Sequence, residues 1–204
     1  MIQNILFDMG GVLLRFEPEL FVARLGLGAE DGEILVREIF HSAEWVSLDR
    51  GSVSEDEAFA SMCARIPERL HAAARQVFDH WDEPRLAMDG ACDLVRELSE
   101  NGYGLYLLSN AGVRHAEYWP DLPMAKYFGD NLMVSYRYQL LKPEAAFYEK
   151  AFELFSLDPR ECLFLDDNPG NIEAAQRLGL DGVVVHGGDM ALLRRRLREK
   201  GVNI

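Results

Sequence analysis

The sequence predicts an α/β protein, a parallel sheet flanked by helices and interrupted by an all-helical insertion. Two patterns carry that prediction. Five short apolar runs read as buried strands, at Ile2 to Phe7, Gly104 to Leu108, Asn131 to Ser135, Cys162 to Leu165 and Gly182 to Val185. The last four alternate with amphipathic stretches, as strands joined by crossover helices do. The interval from about Arg15 to Arg85 instead keeps helical periodicity and contains no strand pattern. Residues 1–14 with 86–204 are therefore expected to form the sheet-bearing core, and residues 15–85 a helical cap.

Taken in order, the first strand runs into Asp8 and the turn-forming pair Gly10 and Gly11. Within the insertion, SEDEAFASMCARI starts with Ser54 and places Glu57 three residues on, the signature of a capping box. Trp119 followed by Pro120 is expected to end a helix. Pro143 stands where a first helical residue belongs in KPEAAFYEKAFELF, and Asn168 is placed to cap NPGNIEAAQRL, which stops at Gly179. The last helix, in ALLRRRLREK, turns Leu192, Leu193 and Leu197 to one face and leaves its arginines largely solvated near the negative end of the helix dipole.

Composition narrows the function. The chain has 204 residues, 49% of them hydrophobic, enough to bury a core. Its formal net charge is -13, which argues against a general nucleic-acid surface, since a phosphate backbone is held by clustered Lys and Arg. The three cysteines, Cys63, Cys92 and Cys162, are far apart and in no CxxC spacing, so neither a disulfide framework nor a structural zinc site is expected. The start MIQNILFDMGG has no basic flank or long apolar stretch, and no run approaches membrane-spanning length. A cytoplasmic protein with no membrane partner, monomeric or weakly dimeric, is the expectation.

Chemistry should collect where parallel strands end, because ligands of open α/β sheets bind at the carboxyl edge. The residues there are Asp8, Ser109 with Asn110, Lys142, and the pair Asp166 and Asp167. Singly, each has a structural explanation: a turn, a helix start, a solvated cation, helix-N-terminal acids. Together they supply a nucleophile, a hydroxyl, an ammonium and an acidic pair.

The segments FDMGGVLL, LLSN, LLKPE and FLDDNPGN, in that order, resemble the four motifs of the haloacid dehalogenase superfamily, and LLSNAGVRHAEYWP with LDDNPGNIEAA resembles its α-D-glucose-1-phosphate phosphatase-like branch. The resemblance implies a Rossmann-like core with a C1-type helical cap and a phosphohydrolase acting on a small phosphorylated metabolite. It implies Asp8 as nucleophile forming an aspartyl-phosphate. Mg2+ would be held by Asp8, the Gly10 carbonyl and Asp167, with Asp166 reaching it directly or through water. Ser109 and the Asn110 amide would hold phosphoryl oxygens while Lys142 offsets charge.

One position departs from the family's commonest pattern. The usual second aspartate, general acid and then base, is Gly10 here. Water, Asp166 or a cap residue would have to replace it, and a bias toward anomeric, acyl or aryl phosphates is expected. Glycine there also suits a rival reading, a metal-independent 2-haloacid dehalogenase, although Asp166 and Asp167 would then lack a compensating cation. A catalytically weak phospho-ligand-binding protein is the third reading. In the cap, His41, Trp45 and Arg50 near Gly51 are candidates to meet substrate, with packing or ordinary exposure as the alternative for each. His115 and His186 are read as capping or solvated side chains.

Overall fold

The computed structural model describes residues 1–81, 83 and 85–204. The apolar runs form one parallel sheet from β1 (Asn4–Phe7), β2 (Gly104–Ser109), β3 (Leu132–Val134), β4 (Cys162–Asp166) and β5 (Asp181–Val184), in the order β3-β2-β1-β4-β5. Strand β1 lies centrally, with Phe7 in register with Leu107 on one side and Leu165 on the other. Alternation decides the layers. Ile5 and Phe7 face one core, and Leu6 faces the opposite one.

The helices sort accordingly. Between β1 and β2 come α1 (Pro18–Ala23), α2 (Ala29–Leu35), which continues as a π-turn over Val36–Phe40, then α3 (Ala43–Arg50), α4 (Glu55–Cys63), α5 (His71–His80) and α6 (Ala91–Glu100). After β2 come α7 (His115–Tyr118), α8 (Ala145–Phe155), α9 (Pro169–Arg177) and α10 (Met190–Glu199). Leu94, Val95 and Leu98 of α6 and Leu193 and Leu197 of α10 cover one sheet face. Phe147 and Tyr148 of α8 and Ile172 and Ala175 of α9 cover the other. Helices α2, α4 and α5 close over a third core containing Leu35, Ile39, Met62, Ala74 and Phe78. Among the described residues no helix is long and apolar enough to cross a membrane.

Local signals explain most helix ends. Ser54 and Glu57 form the reciprocal capping box, and the Asn168 side chain accepts from the Gly170 N–H at the start of α9. Pro143 differs from expectation. Helix α8 starts two residues later, at Ala145, because Leu141 to Glu144 form a turn: the Glu144 N–H donates to the Leu141 carbonyl at 2.8 Å, and the Leu141 N–H to the Glu144 carboxylate at 3.2 Å.

At the other end of α8, Ser156 is a C-cap in the left-handed region, at φ 53 and ψ 44. A Cβ is disfavoured there. Ser156→Gly is expected to stabilise the fold by about 0.5–1 kcal/mol, read as a rise in Tm of about 1–4 °C in a thermal melt.

Candidate active site

The inner end of β1 delivers Asp8 to the carboxyl edge of the sheet, where its N–H donates to the Leu165 carbonyl at 2.8 Å. Oδ1 of Asp8 accepts from the Met9 N–H at 2.7 Å and pairs with Lys142 Nζ at 2.8 Å. Oδ2 makes no hydrogen bond among the described residues. Lys142 also pairs with Asp166 Oδ2 at 2.7 Å, and its side chain is almost wholly buried. Burial works against the ammonium, but Asp8 and Asp166 outweigh it and hold the Lys142 pKa above that of free lysine.

Asp166 is fixed from every side. Its Oδ1 accepts from the Asn168 N–H at 2.8 Å, and Asn171 Nδ2 lies 3.0 Å from each carboxylate oxygen. The Tyr148 hydroxyl in turn donates to the Asn171 carbonyl at 2.9 Å. Both Asp166 oxygens are thus engaged by protein donors, Lys142 among them.

Asp167 extends past the strand end toward the glycine turn. A Cβ on Gly11, at φ +69, would sit 2.3 Å from Asp167 Oδ2, so this close approach admits only glycine. Carboxylate oxygens of Asp8, Asp166 and Asp167 all lie within 4.8 Å of one another. Burial pushes Asp8 up to about 7, with Lys142 pulling the other way and Asp166 and Asp167 adding to the rise. The Asp167 pKa is raised for the same reasons, burial and then Asp166. Three carboxylates around one ammonium leave a negative surplus. A hard, oxygen-seeking divalent cation fits that donor set.

Of the remaining strand-end residues, Ser109 is buried, and its hydroxyl has no hydrogen-bond partner among the described residues. The Asn110 side chain makes a reciprocal pair with the Lys142 backbone, donating to its carbonyl at 3.0 Å and accepting from its N–H at 2.9 Å. That side chain is committed to positioning Lys142, so a ligand oxygen would have to meet the Asn110 main chain instead.

A cavity of about 550 Å³ opens over Asp8, Gly10, Asn110, Lys142 and Asp167, roofed by the cap. Helix α3 presents Trp45, Leu48 and Asp49 to it. Neither of the other cap candidates lines it. His41 is exposed, while Arg50 pairs with Glu144 and donates to the Gln139 carbonyl at 3.0 Å, fastening the cap to the core. Residue type alone suggests both; His41 ends the π-turn before α3, and Arg50 at the end of α3 is turned toward Glu144.

Asp49 was not singled out by sequence. Its main-chain carbonyl accepts from the Ser135 hydroxyl, and its carboxylate accepts from the Gly112 N–H in the loop after β2. Burial, then the nearby Asp8 carboxylate, push it up to about 7. The available signal was its spacing from Trp45, four residues on and so on the same helix face. His115 also departs from expectation: it is buried and stacked on Trp119 at 5.4 Å, and burial followed by nearby Arg137 lowers its pKa to about 4, keeping it neutral.

Comparison with known proteins places this arrangement. Residues 2–179 match the model of the haloacid dehalogenase-like hydrolases. A sesquiterpene phosphatase from Aspergillus oryzae is 26% identical over 182 residues, 87% of each chain. A D-ribitol-5-phosphate phosphatase from Bacteroides thetaiotaomicron is 26% identical over 193 residues, covering 89% of this chain and 90% of the relative. The fold is shared with a haloacid-dehalogenase-family enzyme from Bacteroides thetaiotaomicron solved as a magnesium complex, with TM-score 0.71 at 22% identity over 95% of this chain and 98% of that one.

Proposed function

The chain belongs to the haloacid dehalogenase-like hydrolases, and from that membership we propose that it is a magnesium-dependent phosphomonoesterase working through an aspartyl-phosphate on Asp8. The observation that carries the reading is the buried Lys142 ammonium, which bridges Asp8 at 2.8 Å and Asp166 at 2.7 Å beside a third carboxylate. Both curated relatives described above are named as phosphatases. They are named for an isoprenoid and an alditol substrate, so neither supports glucose 1-phosphate in particular. Displacement of halide from carbon is disfavoured, because without a cation Asp166 and Asp167 are a burden on that chemistry.

Asp8, Asp167 and the Gly10 carbonyl would hold the Mg2+, which would draw charge from the phosphoryl oxygens and relieve the repulsion between two anions. Asp8 Oδ2 attacks phosphorus, the ester oxygen leaves, and an acyl phosphate forms. Lys142 keeps the attacking carboxylate oriented through Oδ1 and offsets charge on the transferring group. Ser109, whose buried hydroxyl has no hydrogen-bond partner among the described residues, would donate to a phosphoryl oxygen. Water then attacks the same phosphorus, releasing inorganic phosphate and restoring Asp8.

The departing alkoxide needs a proton, and the entering water must lose one. Gly10 supplies neither, and we assign both transfers to Asp49. It lines the cavity above Asp8, and a carboxyl group held near 7 exchanges protons at neutral pH. Asp49→Asn is expected to lower kcat/KM on alkyl phosphates by about 100- to 10,000-fold, with a much smaller loss of kcat/KM on p-nitrophenyl phosphate, whose leaving group needs no proton. Because the protonated form is the acid, kcat/KM for alkyl phosphates should fall as pH rises through about 7, and Asp49→Asn should flatten that limb. Room exists to restore the missing carboxylate: a Cβ on Gly10 would meet only Phe16 Cβ, at 3.6 Å. Gly10→Asp in the Asp49→Asn background should recover much of the lost rate. An Asp49→Asn variant with wild-type kcat/KM on an alkyl phosphate would remove Asp49 from the mechanism.

A further inference from the structure

The wall of the cavity beyond the phosphate end is built from rings and aliphatic side chains. Phe16, Trp45 and Trp81 form a mutually packed triangle, with centroids 6.1 Å apart for Phe16 and Trp45, 5.2 Å for Trp45 and Trp81, and 5.7 Å for Phe16 and Trp81. All three line the cavity, as does Leu48 from α3. Several wall residues keep unusual exposure for their type: Phe16 at 40%, Val53 at 37%, Leu86 at 48% and Val113 at 50%. Apolar surface gathered in one concave place, rather than scattered singly, marks a ligand site.

Of the polar side chains on the same wall, Arg114, Ser54, Arg15 and Arg85 are engaged within the protein, whereas the buried His115 has ring nitrogens with no hydrogen-bond partner among the described residues. Arg114 is paired with Glu55 and donates to the Phe78 and Asp79 carbonyls at 2.9 Å. Ser54 is held in its capping box with Glu57. Arg15 pairs with Glu17 and Asp89. Arg85 lies over the Tyr118 ring, 4.9 Å from its centroid. A sugar brought here would exchange water for hydrogen bonds that these side chains are not placed to return, and each hydroxyl left unmatched on burial costs affinity.

Resting on the phosphatase reading of the site, we infer that the alcohol half of the substrate is apolar, an aryl or isoprenoid group laid against Phe16, Trp45, Leu48 and Trp81 while its phosphate meets Asp8 and Lys142. The cavity selects by excluding polyols as much as by attracting rings and chains. Trp45, a candidate from sequence to meet substrate, serves as an apolar anchor.

The test is a matched comparison with Mg2+ of farnesyl monophosphate, 1-naphthyl phosphate, glucose 1-phosphate and ribitol 5-phosphate, with acetyl phosphate as a substrate lacking any side group. At least one of the two apolar esters is expected to exceed both polyol phosphates in kcat/KM by about 100-fold or more and, because an aryl leaving group alone raises the rate, also to bind the Asp8→Asn protein more tightly than glucose 1-phosphate does. Which apolar ester leads distinguishes an isoprenoid from an aryl occupant. A polyol phosphate turned over as well as or better than both apolar esters would overturn the inference. If no ester, acetyl phosphate included, is hydrolysed, the phosphatase reading fails. Calorimetry on the Asp8→Asn protein then decides the substrate class by binding alone. Farnesyl or naphthyl phosphate binding at least about tenfold tighter than glucose 1-phosphate supports the apolar site, and equal or weaker binding refutes it. Val53→Glu, which places a charge at the exposed rim, should raise KM for the preferred apolar ester by about tenfold; an unchanged KM would count against the wall as the binding surface.

Discussion

Asp8→Asn is expected to yield a folded protein whose phosphatase turnover falls by about 10,000-fold or more in a steady-state assay with Mg2+. The size of the loss follows from the role proposed for Asp8. An amide cannot form the acyl phosphate, and removing the nucleophile of a covalent mechanism leaves only what binding and charge stabilisation supply. The fold should tolerate the change. Burial penalises the Asp8 carboxylate and holds its pKa up at about 7, so a neutral side chain of the same shape relieves a cost, and Lys142 retains Asp166 as a partner at 2.7 Å. Tm in the presence of a chelator should therefore be no lower than that of the wild type at pH 8. Residual turnover within about tenfold of wild type would place the nucleophile elsewhere.

Lys142→Met is the second large expected effect, and it should act on both activity and stability. Lys142 is the ammonium between two carboxylates, at 2.8 and 2.7 Å, with its side chain almost fully buried. Its removal leaves Asp8 and the fully buried Asp166 facing one another without a cation between them. Breaking a buried ion pair from one side typically costs about 3–5 kcal/mol, and loss of a fixed charge aimed at the transferring group typically costs about 100- to 1,000-fold in rate. Denaturant melts without metal should show the destabilisation, and Mg2+ should recover part of it by supplying positive charge to the same oxygens. Lys142→Arg is not expected to substitute, because the planar guanidinium is larger than the ammonium that fits between Asp8 and Asp166. Wild-type kcat in a folded Lys142→Met protein would exclude the proposed role.

How much of this was legible in the sequence depends on whether a residue's place is set locally. Asp8, Asp166 and Asp167 each follow an apolar run directly, so a strand reading alone brings them to the edge where the structure gathers them. The parallel sheet itself was legible through the spacing of those runs. Pro143 was misread because its local propensity as a helix starter yields to the turn closed by Glu144 and the bonds from Asn110, whose partner Lys142 lies 32 positions away. The cap was harder for the same reason. Only its four-residue spacing from Trp45 distinguishes Asp49 locally from the other acidic residues of a chain with 34 of them; it matters because α3 docks against Ser135 and Gly112, a tertiary contact. The aromatic wall was likewise hidden, since Phe16, Trp45 and Trp81 come from three separate segments and meet only when the cap folds. His41 and Arg50 have residue types suited to a ligand, yet His41 is exposed ahead of α3 and Arg50 is taken up by Glu144 and the Gln139 carbonyl.

The account rests on a covalent bond between Asp8 and phosphorus, and that bond can be looked for directly. The protein, mixed with Mg2+ and a turned-over phosphate ester and quenched in acid within milliseconds, should give a peptide spanning Asp8 heavier by one phosphoryl group. The added mass should fragment to Asp8 and be absent from the Asp8→Asn protein. Phosphate release in an early burst with no phosphorylated peptide, or a phosphoryl group found on any other residue, would contradict it.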